Sequence, residues 1–380
     1  MTTAPITDNP LVHDLYRLPG PVLTAYLNAP FPGPGVDDTD LRLRALLAKL
    51  RSSGAPPDAL RAMGSVLETL QPGQPPAAVF VGADGQTRMF RLPGADVADQ
   101  AHCAAVPHVL PLLRWRQQHP AFTAVLLDRA GADLVVKAAG AAQPVHAEAA
   151  GPDDVIERNA PGGWSQGRYQ NRAEDSWQHN AGRAAEAVAD ALAAAGADLL
   201  IVGGDVRAEQ YFLDRLPARV RSEVTIKTIP GGRSPDGSQD HRAEEVEAAV
   251  QQYVKEDSLR TLTRVKDRSG PGGRAVQGPA ATIHALARGQ VDVLLLAPDE
   301  PGTGSEPTTA WFGPLPTDIS EHRTGVLVPD GQPRHGPLAE VLTRSAVLTD
   351  ADVRILPGGL ADAPPHGVGA LCRFAVPSPS

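Results

Sequence analysis

The sequence predicts an α/β protein of three domains, with a glycine-rich loop and a long helix in the middle domain. Three observations predict this class. The chain has 380 residues, which is more than one hydrophobic core usually organises. Segments with strand-like patterns alternate along the chain with segments of helical periodicity. One helical pattern, from Tyr169 to Ala195, is much longer than the others and follows the breaker cluster Pro161-Gly162-Gly163.

The first domain, residues 1–119, is expected to be a small α/β unit. The alternation in Val22-Leu-Thr-Ala-Tyr-Leu27 predicts its opening strand. An Ala-Asp-Gly-Gln turn between two apolar segments predicts a hairpin. The expected elements are a strand at 21–29, helices at 41–50 and 58–70, hairpin strands at 77–81 and 87–92, and a closing segment at 107–115.

The second domain, residues 120–256, is expected to contain a mixed sheet with a parallel part, because its strands alternate with helices. The expected strands are 122–128, 132–138, 145–149, 197–202 and 224–229. The expected helices are the long one, 206–216 and 244–256, with a loop at 231–240.

The third domain, residues 257–380, is expected to be another α/β unit. Its first stretch, 259–275, is charged and then glycine-rich, which predicts a flexible loop. The further expected elements are helices at 280–288 and 337–345 and strands at 291–297, 353–356 and 370–375.

The long helix has one continuous apolar face. Its members recur at steps of three or four: Tyr169, Ala173, Trp177, Ala181, Ala184, Val188, Leu192 and Ala195. A helix of this length spans roughly 45 Å at about 1.5 Å per residue. Gly196 supplies a helix stop. With Arg168, Arg172 and Arg183 on its flanks, the segment is typical of a probe carried on a stalk.

Composition limits the classes of function. Charged residues make up 21% and hydrophobic residues 42% of the chain, as in ordinary globular proteins. Aromatic residues are only 4%, so the cores must be built mostly from Ala, Val and Leu. The formal net charge of −9 excludes a generic nucleic-acid binder, and any RNA contact must therefore be local.

The sequence gives no sign of a disulfide framework, a metal site, a secreted protein or a membrane protein. Cys103 and Cys372 are too far apart for a Cys-x-x-Cys site, and we expect two reduced, mostly buried thiols. His102, Cys103 and His108 lack a second cluster that would complete four metal ligands. The N-terminus lacks a signal-peptide pattern, and no stretch reaches the roughly 18 apolar residues of a spanning helix. We expect a soluble cytoplasmic protein without metal or cofactor.

One segment matches a catalytic motif without its structural context, and one turn lies where phosphate loops occur without their residues. Gly163-Trp164-Ser165-Gln166-Gly167 matches the nucleophile elbow of α/β-hydrolases, which needs a strand directly before the serine. Here a loop pattern precedes the serine, His179 lies on the long helix, and His241 is only one of several candidate partners. The turn 202–205, Val-Gly-Gly-Asp, lacks the further glycines or lysine of a phosphate loop, which favours an ordinary strand-to-helix turn.

The segment 162–172 has residue types that suit a loop inserted into RNA. Two glycines allow close approach of the backbone, a glutamine amide both donates and accepts, and arginines hold phosphate. The alternative is an exposed loop before a capped helix, with Trp164 packed on a neighbour. The residues alone leave both interpretations open.

Gly162-Gly163-Trp164-Ser165-Gln166-Gly167-Arg168-Tyr169 is similar to the Gly-Gly-Gln-Ser-Ala-x-Arg-Phe segment of archaeal and eukaryotic class-1 release factors. Segments 122–128, 199–205 and 277–296 also resemble that family, so the likeness covers about two-thirds of the chain. It is greatest to the bacterial branch, which includes the ribosome hibernation factor Balon and its actinobacterial counterparts. The resemblance implies a release-factor-like architecture whose C-terminal domain is like the kink-turn-binding ribosomal protein fold.

Departures from the family pattern limit what can be transferred. Trp164 stands where release factors have the catalytic glutamine. Gln166 instead completes Gly163-x-x-Gln166, the form found in peptidyl-tRNA hydrolases of ribosome quality control. The stop-codon signatures Asn-Ile-Lys-Ser and Tyr-x-Cys-x-x-x-Phe are absent from residues 1–120. We therefore expect a tRNA mimic that enters the ribosomal A site but does not decode stop codons.

The resemblance implies two candidate functions. In the first, which we favour, the protein is a binding factor that occupies the A site of idle or stalled ribosomes during hibernation or translation stress. The implied contacts with rRNA at the peptidyl-transferase centre are Gly162, Gly163, Trp164, Ser165, Gln166, Arg168, Tyr169 and Arg172. In the second, Gln166 is catalytic and positions a water at the peptidyl-tRNA ester.

The implied partners are the ribosome, peptidyl-tRNA and a translational GTPase elongation factor. A tRNA mimic should act as a monomer, and no membrane association is expected. The net charge of −9 predicts that RNA contacts are confined to a few basic patches and depend on salt. The candidate patches are Arg168/Arg172/Arg183 and Arg264/Lys266/Arg268/Arg274.

Overall fold

The structure is a computed structural model that describes most of the chain. The described residues are 10–28, 39–71, 73–128, 131–141, 143–149, 166–231, 239–270, 272–297, 309–329, 331–356 and 363–375. They form two compact units. The middle unit consists of Gln118–Asp257, and the terminal unit combines Pro5–Gln117 with Ser258–Ser380. The predicted mixed α/β class is confirmed.

The first segment of the terminal unit is an antiparallel sheet in the order β3-β2-β1-β4, with two helices on one face. Its elements are α1 (Pro10–Leu15), β1 (Val22–Leu27), α2 (Thr39–Ser52), α3 (Pro57–Leu67), β2 (Ala77–Val81), β3 (Thr87–Arg91), β4 (Gln100–Ala104) and α4 (Leu110–Gln118). Strand β1 is buried on both faces, because Leu23 and Ala25 contact the α2/α3 layer while Tyr26 enters a second core. This explains its run of apolar side chains.

The middle unit has three layers. Its elements are β5 (Phe122–Leu127), β6 (Ala132–Lys137), β7 (Val145–Ala149), α5 (Gln166–Ala195), β8 (Leu199–Gly204), α6 (Val206–Arg215), α7 (Ala218–Glu223), β9 (Thr225–Ile229) and the first part of α8 (Gln239–Arg268). The sheet order is β7-β6-β5-β8-β9. Strands β5, β8 and β9 are parallel, and β6 and β7 extend the sheet antiparallel. Helices α5 and α6 cover one face and α8 covers the other.

The last segment of the terminal unit contains a mixed sheet and a small antiparallel sheet. Its elements are β10 (Ala275–Gln277), α9 (Pro279–Ala287), β11 (Val291–Leu296), β12 (Thr309–Phe312), β13 (Ile319–Ser320), β14 (Arg334–Pro337), α10 (Leu338–Leu348), β15 (Asp352–Ile355) and β16 (Val368–Cys372). The mixed sheet has the order β10-β16-β11-β15, and the small sheet has the order β13-β12-β14.

The two segments of the terminal unit share one hydrophobic core. Tyr26, Phe80 and Leu112 from the first segment belong to the same buried cluster as Leu294 and Phe312 from the last. Contacts therefore join the first and third predicted segments, 1–119 and 257–380, in one compact unit. The division into three domains stays a prediction.

Buried polar side chains also connect these segments. The Glu340 carboxylate accepts hydrogen bonds from the Val109 N–H (3.1 Å) and the Leu110 N–H (3.3 Å) at the start of α4. It also lies 2.5 Å from His108 Nδ1. The Gln117 amide donates to the Ile355 carbonyl and accepts from the Ile355 N–H, so it pairs with edge strand β15 as a further strand would.

One expectation about secondary structure is wrong. The predicted loop at 259–275 is helical as far as Arg268, because α8 continues across the predicted boundary at 256/257. Leu262 and Val265 are buried at helical spacing, and this apolar face extends the helix. Strands β4, β10, β12, β13 and β14 and helices α1 and α7 were not predicted.

Candidate functional site

The predicted RNA-contacting segment lies at the beginning of α5. The helix starts at Gln166, so Gln166, Arg168, Tyr169 and Arg172 lie in its first two turns. Residues 162–165, which include the glycine pair, Trp164 and Ser165, lie outside the described residues. The role predicted for the segment therefore remains a prediction.

The second half of α5 is fixed against the sheet of the middle unit. Ala184, Ala185, Val188 and Leu192 are buried in the core formed with β5, β6 and β8. Two of these four side chains are methyl groups, which lets the helix backbone lie close to the strands. The predicted apolar face is thus confirmed for its C-terminal half.

The end of α5 is a Schellman motif. Gly196 has φ of 59°, in the left-handed region, and its N–H donates to the Ala193 carbonyl (3.3 Å). The Ala197 N–H donates to the Leu192 carbonyl (2.9 Å). These two bonds satisfy carbonyl groups that a helix end otherwise leaves free. The helix stop predicted at Gly196 is confirmed.

The anchored half fixes the axis along which the start of the helix lies. Among the described side chains of α5, Ala181 is the first that is buried. At about 1.5 Å of rise per residue, Gln166 lies roughly 22 Å from Ala181 along the helix axis. The segment predicted to contact RNA is therefore about four turns away from the described packing of the helix.

A small pocket that opens to solvent lies at the carboxyl ends of the parallel strands β5 and β8. Asp128 follows β5, Asp205 follows β8, and the other polar lining residues are Asn180 on α5 and Arg207 and Tyr211 on α6. Sequence reasoning missed this pocket, although an aspartate directly after each of two buried strands was a usable signal. Asp128 accepts from the Gly131 N–H (2.7 Å) and Asp205 from the Arg207 N–H (2.9 Å), so both carboxylates cap local turns.

The Val-Gly-Gly-Asp turn is the ordinary strand-to-helix turn that the sequence predicts. Asp205 is the N-cap of α6. A Cβ at Gly203 would lie 2.8 Å from the Gly231 carbonyl oxygen, and one at Gly204 would lie 2.9 Å from Leu127 Cβ. Close packing of β8 against its neighbours thus requires both glycines.

The histidines at the end of the first segment form a packed pair. The rings of His102 and His108 have centroids 4.4 Å apart. Burial, then the charges of His108 and Lys49, lower the pKa of His102 to about 4. Within the described ranges, no group of three His, Cys, Asp or Glu side chains is placed to hold a metal ion.

The two cysteines are free thiols, as expected, and burial with the nearby Asp292 raises the pKa of Cys372 to about 11.

The second candidate basic patch lies at the C-terminal end of α8. Lys266 and Arg268 are exposed in its last turn, and Arg274 is exposed just beyond the following turn. Gly273 lies against the helix end, as shown by the Cβ that any other residue would have there, which would collide with the Arg268 carbonyl. Arg264 is half-buried. The structure therefore brings three of the four predicted cations to one helix end, where positive charge is favoured.

Residues 121–271 match the family model described as bacterial archaeo-eukaryotic release factor family 2. The matched span contains the sheet of the middle unit, α5 and the whole of α8. The predicted resemblance to release factors of this bacterial branch is therefore confirmed, and the narrower likeness to Balon stays a prediction. No helix among those described has the length and apolarity that crossing a membrane requires.

Further similarities extend over more of the chain. It is 26% identical over 286 residues to the uncharacterized protein Rv2629 of Mycobacterium tuberculosis (strain H37Rv), covering 71% of this chain and 70% of the relative. It is similar to the archaeal translation termination factor aRF1, with 18% identity, 96% of each chain covered and a TM-score of 0.23. It is also similar to Pelota of Archaeoglobus fulgidus, with 15% identity, 80% of each chain covered and a TM-score of 0.32. The family likeness rests on the sequence match.

Proposed function

We propose that this protein is a ribosome-associated factor that occupies the A site of idle or stalled ribosomes and does not decode stop codons. The observation that carries the proposal is the match of residues 121–271 to the bacterial release-factor family, a span in which the glycine-rich segment directly precedes α5 in the sequence. The missing stop-codon signatures in residues 1–120 support the second part of the proposal.

The geometry of α5 supports a probing role for its first turns. The C-terminal half of the helix is buried on a five-stranded sheet. A probe that must reach into an RNA cavity needs such a rigid base, because any motion of the base is carried to its tip. The first four N–H groups of a helix have no intrahelical acceptor and carry partial positive charge, which suits a phosphate or another polar RNA group.

The charge pattern supports a local contact with RNA. Arg168 and Arg172 occupy positions four residues apart, which lie on one side of an α-helix. Lys266, Arg268 and Arg274 supply a second exposed basic region. Because the whole chain carries −9, we expect binding through these few cations to weaken steeply with salt. A translational GTPase is a further proposed partner, since the resemblance to release factors implies one.

Hydrolysis of peptidyl-tRNA is the second candidate function. It is favoured by one observation, the Gly163-x-x-Gln166 spacing with Gln166 as the first residue of α5. A glutamine amide is not basic enough to take a proton, so Gln166 would orient a water. The 2′-hydroxyl of the RNA and backbone N–H groups would assist at the developing oxyanion.

One experiment separates these functions. Purified protein is added to ribosomes that carry labelled peptidyl-tRNA and an empty A site, and co-sedimentation and peptide release are read from the same sample. The variants are Trp164→Ala and Gln166→Ala, with Gln210→Ala as the control because Gln210 is an exposed glutamine on α6 of the same unit.

The favoured function predicts co-sedimentation without release, weaker binding for Trp164→Ala and unchanged binding for Gln210→Ala. Peptide release that is lost in Gln166→Ala and kept in Gln210→Ala would instead establish the hydrolase. A protein that neither sediments with ribosomes nor releases peptide would refute both functions.

A further inference from the structure

The small sheet β13-β12-β14 of the terminal unit has one buried face and one face that the described residues leave open. Ala310, Phe312 and Ile319 are buried in the shared core. Trp311 lies between two of these residues on the central strand, and it is only half-buried. Because side chains alternate along a strand, Trp311 belongs to the face opposite Phe312.

The open face carries a row of polar and aromatic side chains. The register places Ser320 and His335 directly beside Trp311 on the two neighbouring strands. The exposed His335 ring lies 5.0 Å from the Trp311 ring, centroid to centroid, at 59°. Arg323, exposed in the 3-10 turn that follows β13, places its guanidinium carbon 5.9 Å from the centroid of the Trp311 ring.

We propose that this face binds single-stranded RNA, with a base stacked on Trp311, the tilted His335 ring beside that base and a phosphate held by Arg323. Aromatic rings on an open sheet face are a common platform for unpaired bases, because every base has a π-face. A guanidinium group beside the ring offers several N–H donors in the geometry that phosphate oxygens accept. The structure places these three groups together on one face.

The surroundings favour an unpaired RNA strand over a protein or a duplex. Among the described side chains of this face, Ser320, His335 and Arg323 surround Trp311 with polar groups, whereas protein interfaces usually have a larger apolar centre. Duplex bases are stacked inside the helix and are not free to lie on a ring. Two acidic residues are near Arg323 in the sequence. Glu321 is exposed, and the Asp318 carboxylate accepts a hydrogen bond from the Leu315 N–H (2.9 Å).

The proposal is independent of the proposed function. It concerns the terminal unit rather than α5, and it requires only free RNA. It predicts an RNA contact that the predicted site at 162–172 does not include.

The test measures binding of the full-length protein to a fluorescein-labelled single-stranded RNA by fluorescence anisotropy. The RNA has roughly 12 nucleotides, within the site sizes of about 4–16 that single-strand binders occupy. A hairpin duplex of the same composition serves as the competitor. The variants are Trp311→Ala, Trp311→Phe and Arg323→Ala. Met89→Ala is the control, because Met89 is an exposed apolar residue (43%) on β3 of the same unit.

We expect Trp311→Ala to weaken binding about tenfold, the usual effect of losing one base–aromatic contact. Trp311→Phe should keep most of the affinity, because it keeps a ring. Arg323→Ala should lower the slope of log affinity against log salt by about 0.7, as expected for one lost phosphate contact on a single strand. Met89→Ala and the duplex competitor should have no effect.

The proposal is overturned if Trp311→Ala and Met89→Ala bind the RNA equally, or if the duplex competes as well as the single strand. Loss of ribosome binding in Trp311→Ala with unchanged affinity for free RNA would also overturn it, since the face would then contact a protein. If Trp311→Ala fails to fold, Trp311→Phe and Arg323→Ala decide the question: an unchanged salt slope in Arg323→Ala refutes the phosphate contact.

Discussion

Replacement of Glu340 by alanine should destabilise the terminal unit by about 3–5 kcal/mol, because two backbone N–H groups at the start of α4 lose a buried charged acceptor. Glu340 is 2% exposed. Its carboxylate accepts the Val109 and Leu110 N–H groups at 3.1 and 3.3 Å and lies 2.5 Å from His108 Nδ1. A hydrogen bond to a charged group is worth about 1.5–3 kcal/mol, so the two N–H bonds alone account for this range.

Two further variants bracket the effect. Glu340→Gln keeps the shape and one acceptor oxygen, and it should cost about 1–2 kcal/mol. Glu321→Ala removes an exposed carboxylate of the same unit, and it should change stability by less than about 0.5 kcal/mol.

Calorimetry is the appropriate assay, because two compact units need not unfold in one transition. For a unit of this size, Glu340→Ala should lower the midpoint of one transition by roughly 10 °C and leave the other unchanged. Hydrogen exchange should show faster exchange of the Val109 and Leu110 amides. Equal shifts of the transition in Glu340→Ala and Glu321→Ala, or unchanged protection of the two amides, would show that the Glu340 bonds do not stabilise the unit.

The remaining predictions concern the helix end, pH and salt. Gly196→Ala should destabilise the middle unit by about 1 kcal/mol because φ is 59° there, whereas Gly182→Ala inside α5 should stabilise it by about 0.5–1 kcal/mol; thermal melting checks both signs. Burial lowers the pKa of His102 from 6.5 to about 4. The free energy of unfolding should therefore keep its full value above about pH 6.5 and fall by about 1–2 kcal/mol toward pH 4, a figure reduced because His102 is partly exposed. Melting curves of His102→Gln should not show this loss. Arg268→Ala combined with Arg274→Ala should lower the salt slope of ribosome binding by about two, and an unchanged slope would contradict a role for this patch.

Local patterns predicted most of the regular elements. Strands such as Val22–Leu27 and Phe122–Leu127 are apolar runs bounded by breakers, and α5 combines a continuous apolar face with a glycine stop. Both signals are contained within a short stretch of the chain, so they can be read without knowledge of the fold. The Val-Gly-Gly-Asp turn at the end of β8 was predictable for the same reason.

Long-range contacts could not be predicted in this way. The bonds from Glu340 to the start of α4 join residues 231 and 230 positions apart, and nothing in the local sequence around either partner indicates them. The open face around Trp311 depends on three strands of two to four residues, which are too short for a periodic pattern. The continuation of α8 was missed because its charged surface residues outweighed the two buried ones, Leu262 and Val265, in the sequence pattern.

The candidate site was predictable only through family resemblance. Its chemistry fits either an RNA probe or an ordinary loop before a helix, and the residues at 162–165 lie outside the described ranges. The helix that carries the site, by contrast, follows from its own periodicity.

Competition with A-site tRNA tests whether the protein occupies the A site. Ribosomes are prepared with the A site either empty or filled by aminoacyl-tRNA, and binding of the labelled protein is measured on both at the same salt concentration. We expect binding to the empty form and displacement by A-site tRNA, with weaker binding for Arg168→Ala. Equal binding to both forms, or no binding to either, would show that the protein does not occupy the A site.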